Sequence, residues 1–166
     1  MLKTLIIYIA SVFLINSNCY GQNDLETQFL KDKVLGGDTI NLSYFSKTPI
    51  QVDTNEFFAY IILTKKRGII DSTFEVRSVT DKLSYNNQFN WDQLDTTDFV
   101  ITGNHSVKKD FRAKNSFSLP IQLDSNTVII QYGWYYHPSY AGEQIDVWQL
   151  VDGVWEKVSS YLLWMS

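Results

Sequence analysis

The dipeptide Asp152-Gly153 separates two runs, 143–151 and 154–164, that are rich in β-branched and aromatic residues. No other feature constrains the fold of this chain as tightly. A two-residue type I′ turn needs positive φ at both central positions, and Asp-Gly meets that need at little steric cost. The flanking runs are therefore read as neighbouring antiparallel strands. A third run of the same character, 127–136, precedes them, so a three-stranded meander is expected at the C-terminal end.

The first half reads differently. Asn23 and Glu26 have capping-box spacing, Leu25, Phe29, Leu30 and Val34 form a helical stripe, and Gly36-Gly37 stops it, which predicts a helix at 24–35. Asp53 and Glu56 repeat the cap before the apolar run 57–63, and Lys65-Lys66-Arg67-Gly68 closes it, predicting a helix at 54–67. Thr80 to Tyr85 starts a shorter helix that Asn86-Asn87 would weaken. Strands are expected at 39–45, where Ile40, Leu42 and Tyr44 alternate with polar residues, and at 99–102; either could join the sheet at an edge. Helices early and strands late imply an α+β domain over 22–166, with N-terminal helices packed on one face of a mainly antiparallel sheet. Phe29, Phe58, Ile61, Ile62, Ile129, Trp148 and Val158 are expected in its core.

Residues 1–21 read as an export signal: Lys3 is the positive start, 5–15 is apolar or small, and Cys19 and Gly21 are the small residues before a cleavage at Gln22. The apolar run is well short of the roughly 20 residues that span a bilayer, so no transmembrane segment is expected in the mature chain. Cys19 is the single cysteine. Lipidation there is disfavoured, because Asn16 and Asn18 occupy positions where a lipoprotein signal carries apolar and small residues. The mature chain would then fold without a disulfide, in the periplasm or at the outer surface.

The formal net charge of −4, with basic residues only in short clusters such as Lys65-Lys66-Arg67 and Lys108-Lys109, argues against nucleic acid as a partner. Neither His105 nor His137 lies at zinc-ligand spacing from a second histidine or a cysteine, and no nucleophile elbow or phosphate loop occurs. Asp92, Asp95 and Asp98 resemble a calcium loop in spacing, but Thr97 and Gly103 stand where that loop needs Gly and Glu. No catalytic residue, metal or cofactor is assigned.

The feature that best suggests a site is Trp134-Tyr135-Tyr136-His137-Pro138-Ser139-Tyr140. On strand alternation Trp134 and Tyr136 share one face and Tyr135 takes the other, forcing a large ring toward solvent. Trp134, Tyr135, Tyr136, His137 and Tyr140 are the candidate binding residues, for stacking on a glycan or on a partner's side chains. Plain packing in the sheet core is the competing explanation of the same rings.

The C-terminal half is similar to a family of small, uncharacterised exported proteins of Gram-negative bacteria. The residues that carry the resemblance are Gln88-Phe89-Asn90-Trp91-Asp92, Ser118-Leu119-Pro120-Ile121, Tyr132-Gly133-Trp134-Tyr135-Tyr136, Asp152-Gly153-Val154-Trp155 and Leu163-Trp164-Met165-Ser166. The loop after the paired tyrosines departs from the family, which commonly has glycines and cysteines where this chain has His137 to Gly142. The resemblance implies export and a β-rich fold, and supplies no catalytic residues.

The leading expectation is a non-enzymatic envelope module binding a protein or a glycan through 134–140, with an inhibitor or immunity protein as a variant. The rival is a cell-wall hydrolase using His105 or His137 as base with Asp92, Asp95, Asp98, Glu143 or Asp146.

Overall fold

A computed structural model of the chain describes residues 25–34, 36, 39–41, 46, 49–89, 100–102, 115–137 and 139–166. The expected export signal, Asp92, Asp95, Asp98, His105 and the Lys108-Lys109 cluster lie outside the described residues.

Strand β5 (Thr127–His137) pairs antiparallel with β6 (Tyr140–Val151), and β6 with β7 (Val154–Met165). Asp152 and Gly153 adopt φ of 50° and 79°, the mirror-image turn expected of this dipeptide. The other edge of β5 takes two short strands in turn, β3 (Asn115–Phe117) and β4 (Ile121–Gln122). Between them the ladder is carried by Ser118: its N–H donates to the Gln131 carbonyl at 2.8 Å, and its hydroxyl accepts from the Gln131 N–H at 2.9 Å. Pro120 has no N–H to give, and the ladder breaks there.

The helices are α1 (Leu25–Phe29), which runs on as a π-helical turn over Leu30–Val34, α2 (Thr54–Lys66) and α3 (Thr80–Gln88), the last entered through a 3₁₀ turn at Val76–Val79. The fold is α+β, as expected. Asp53 caps α2 by accepting the Glu56 N–H at 2.9 Å, and Gly68 at φ 71° follows its last turn. Strands β1 (Thr39–Asn41) and β2 (Val100–Thr102) join neither edge of the main sheet; they pair with each other in parallel. A parallel pair needs a long crossover, and here the crossover contains α2 and α3. Residues 42–45 of the expected first strand lie outside the described residues.

The helices cover both faces of the sheet, not one. Phe29 and Leu30 pack with Phe117, Val128, Ile130 and Trp155, which we call the α1 face. Phe57 and Ile61 pack with Ile121, Ile129, Ile145, Val147 and Tyr161 on the α2 face. Strand alternation sorts the residues: Ile129, Ile145 and Val147 point one way, and Val128, Ile130 and Trp148 the other. A meander with two covered faces has room for more apolar residues than one open to water on one side.

The expected core is met in part. Phe29, Ile61 and Ile129 are fully buried, while Phe58 and Trp148 are half-buried at the core margins. Ile62 and Val158 are exposed. On α2 the buried stripe is Phe57, Ile61 and Thr64, and Ile62 is turned about 100° away from Ile61; an unbroken apolar run does not say which arc will be covered. Val158 is exposed because β7 bulges there: Val147 pairs with Ser159 but Trp148 pairs with Lys157, so Val158 is an inserted residue without a partner.

Asn86 and Asn87, which weaken the helix locally, tie α3 to two extended segments. Buried Asn86 donates to the Ile50 carbonyl at 2.8 Å and accepts the Leu119 N–H at 2.7 Å. Asn87 accepts the Val52 N–H at 3.0 Å and returns a bond to its carbonyl at 3.2 Å. Glu26 makes a comparable tie, accepting from the Gln122 N–H at 2.7 Å and pairing with Lys82. Asn86→Ala should leave a buried N–H and a carbonyl without partners, lowering unfolding free energy by about 2–4 kcal/mol in urea titrations; a change below about 1 kcal/mol would show that the clamp does not hold the fold.

Candidate functional site

Four strands contribute to a cavity of about 350 Å³ on the α1 face, and the α1–π segment roofs it. Phe29, Val34, Phe117 and Ile130 form its apolar lining, with Trp148 and Tyr132 as larger walls. Phe29 and Trp148 meet at 5.7 Å with their planes at 59°. At the margin Asn115 accepts the Tyr132 hydroxyl at 2.6 Å.

Gln144, Asp146 and Trp148 alternate along β6 with Ile145 and Val147, which places all three on the α1 face. Asp146 is almost wholly buried, with 4% exposure. Its carboxylate accepts from Ser160 Oγ at 2.7 Å, from Gln144 Nε2 at 2.9 and 3.0 Å, and from Lys157 Nζ at 3.1 Å. A buried charge in a fold needs this kind of enclosure by donors. As a stability device the cluster is a poor choice, because desolvation offsets most of the Coulomb gain of a buried pair. Its position in a cavity wall is what makes it a candidate site.

Two ammonium groups flank Trp148: Lys157 Nζ lies 5.3 Å from its ring centroid and Lys33 Nζ, from the π-helical turn, 5.6 Å. Both are within cation–π range. Asp146 balances one of these charges, so the three groups together leave the cavity wall net positive.

Beyond the cavity the same face continues as an apolar platform. Tyr132 stacks with Trp134 at 6.1 Å and 23°. Trp134 pairs across the ladder with Gly142, which pairs in turn with Met165. A Cβ on Gly142 would stand 2.5 Å from Trp134 Cζ2 and 2.7 Å from the Trp164 carbonyl oxygen, so only glycine allows the indole to lie across β6. Leu162 faces Gln144 in the neighbouring row. By alternation Tyr140 shares this face, and Tyr140, Leu162 and Met165 are 56%, 56% and 64% exposed.

The candidate residues of the sequence are thereby redistributed. Trp134, Tyr135, Tyr136 and His137 belong to β5, and Tyr140 opens β6, so the expected loop is reduced to positions 138 and 139. Trp134 and Tyr140 come together on the α1 face, whereas Tyr135, paired with Ala141, takes the other and is half-buried. Pairing passes from Tyr135–Ala141 to His137–Tyr140, so Tyr136 is a bulge and the alternation drawn through it does not hold. The side chains of Tyr136 and His137 lie outside the described residues.

Of the carboxylates proposed as partners for a histidine base, the two that are described, Glu143 and Asp146, lie on opposite faces of β6. Glu143 bonds Gln131 at 2.9 Å on the α2 face, opposite Asp146. Asp146 is six residues along β6 from Tyr140, the partner of His137, or about 20 Å. Among the described residues no group of three or more His, Cys, Asp or Glu could hold a metal ion, and no helix is long and apolar enough to cross a membrane.

The grouping of Asp146, Trp148 and Lys157 could not be found from spacing alone, since it depends on the bulge at Val158; the available signal was the polar–apolar alternation of 144–148. Comparisons with protein-family models, characterised proteins and solved structures find no match to the chain.

In a double-mutant cycle, Lys157→Met should destabilise by about 1–2 kcal/mol, because the half-exposed ammonium is partly screened while Asp146 stays buried. Adding Asp146→Asn should recover part of that loss. Strict additivity in urea titrations would mean that the pair is not coupled.

Proposed function

We propose that the chain is an exported, non-enzymatic binding module of the cell envelope, and that it engages a protein partner through the α1-face platform of Trp134, Tyr140, Leu162 and Met165. The observation that carries this reading is the gathering of large apolar side chains, three of them more than half exposed, on one face beside a cavity. Exposed apolar patches of this kind mark interaction surfaces, and Trp, Tyr and Met are enriched at their centres. Export rests on the composition of residues 1–21 and on the resemblance of the C-terminal half to small exported proteins. Of the pairs considered for the hydrolase alternative, His137 with Asp146 is set about 20 Å apart along the strands; those with His105, Asp92, Asp95 or Asp98 lie outside the described residues.

The test uses residues 22–166 immobilised and exposed to detergent-solubilised envelope proteins and, separately, to cell-wall glycan. Wild type should retain a defined protein species, and Tyr140→Ala/Leu162→Ser/Met165→Ser should weaken its binding at least about tenfold without unfolding, since all three side chains are exposed. Equal retention by both would refute the platform. Retention of glycan alone, lost in the variant, would replace the protein partner by a glycan that stacks on the rings.

A further inference from the structure

We propose that the α1-face cavity binds a small anionic amphiphile, a carboxylate on an apolar body, seated on the half-buried Val34, Tyr132 and Trp148 with its headgroup at Lys33 and Lys157. The proposal rests on the reading of this face as a binding surface and concerns a different part of it.

The cavity volume of about 350 Å³ is at the small end of ligand pockets, which run from roughly 300 to 1,000 Å³. That size suits a small molecule and not a polymer segment. Aliphatic and aromatic side chains make up just over half of its lining, which suits a ligand with an apolar body. Charge selects the headgroup. Asp146 is already enclosed by Ser160, Gln144 and Lys157, and a cationic ligand would have to displace Lys157 to reach it. Lys157 Nζ carries three hydrogens and gives one bond to Asp146. Lys33 makes no ion pair among the described residues; its ammonium contacts the Trp148 ring. The charged donors left over therefore both come from lysines, and both lie near the Trp148 wall of the cavity. An anion there interacts with two ammonium groups and one carboxylate, a net attraction that a neutral headgroup lacks. Trp148, within cation–π range of both ammonium groups, would report the event: an anion that draws either cation off the ring changes the field at the indole.

The experiment uses residues 22–166 with decanoate, decanol and decyltrimethylammonium as probes, read by calorimetry and tryptophan fluorescence. Decanoate should bind at least about tenfold more tightly than decanol, weaken as salt rises, and bind better than the cationic probe. Lys33→Met, which leaves the Asp146–Lys157 pair in place, should bring decanoate close to decanol while decanol stays unchanged. Equal binding of decanoate and decanol, no binding of either, tighter binding of the cation, or indifference to Lys33→Met would each overturn the proposal. Partner retention is measured on the same preparations. Loss of decanoate binding in Lys33→Met with retention intact separates the cavity from the platform, and failure of either measurement leaves the other standing.

Discussion

The last strand carries two inserted residues, Val158 and Leu163, and the first decides where the charges of the α1 face fall. Val147 pairs with Ser159 and Trp148 with Lys157. Had the ladder continued without the bulge, Trp148 would face Val158 and Gln149 would face Lys157. Alternation would then turn Lys157 and Trp155 to the α2 face. The lysine would enter an apolar core, and Trp155 would lose Phe29, which it now meets edge-on at 4.9 Å. The bulge restores both to the α1 face while keeping Ser160 opposite Asp146. The buried carboxylate, its counter-charge and the tryptophan beneath α1 thus all depend on Val158 having no place in the ladder.

The remaining architecture follows from covering a long meander on both faces. The α2 face is an apolar core, with Ile129, Ile145 and Val147 packed under Phe57 and Ile61. Among the described residues the α1 face is only partly covered, because α1 and its π-helical turn are short: they bury Phe29 and Leu30 against the sheet and do not reach the far ends of the strands. Side chains between cover and open sheet form the cavity; those beyond it form the platform. Polar anchors keep the cover in place. Glu26 reaches β4 and α3, and the Asn86–Asn87 clamp attaches α3 to residues 50–52 and 119.

Local chemistry made much of this fold legible. Asp152-Gly153 required a hairpin, the Asp53–Glu56 cap placed the start of α2, and the aromatic and β-branched runs marked β5 to β7 within one or three residues. Nonlocal pairing was not legible. Nothing local distinguishes Val158 from its neighbours, so a residue read as core proved to be the bulge. Ile62 was misplaced for a related reason, since the apolar run 57–63 leaves open which helical arc meets the sheet. Of the candidate site, Trp134 and Tyr140 were recognisable as unusual rings near a chain reversal. Asp146 and Lys157 are brought together by the register of one hairpin, and Lys33 joins them only through the packing of the π-helical turn on the sheet.

The most direct measurement is the stability of a chain from which Val158 has been deleted. Removing an inserted residue leaves Lys157 and Ser159 adjacent and on the faces they already occupy, so the ladder becomes regular from Gln144 to the Asp152-Gly153 turn while the second shift, at Leu163, stays as it is. Urea unfolding is expected to stay cooperative and within about 2 kcal/mol of wild type, with the fluorescence of the buried Trp155 retained. An insoluble or non-cooperatively unfolding product would contradict it, because it would mean that Val158 is an ordinary strand residue whose loss reverses the faces of everything on one side of it.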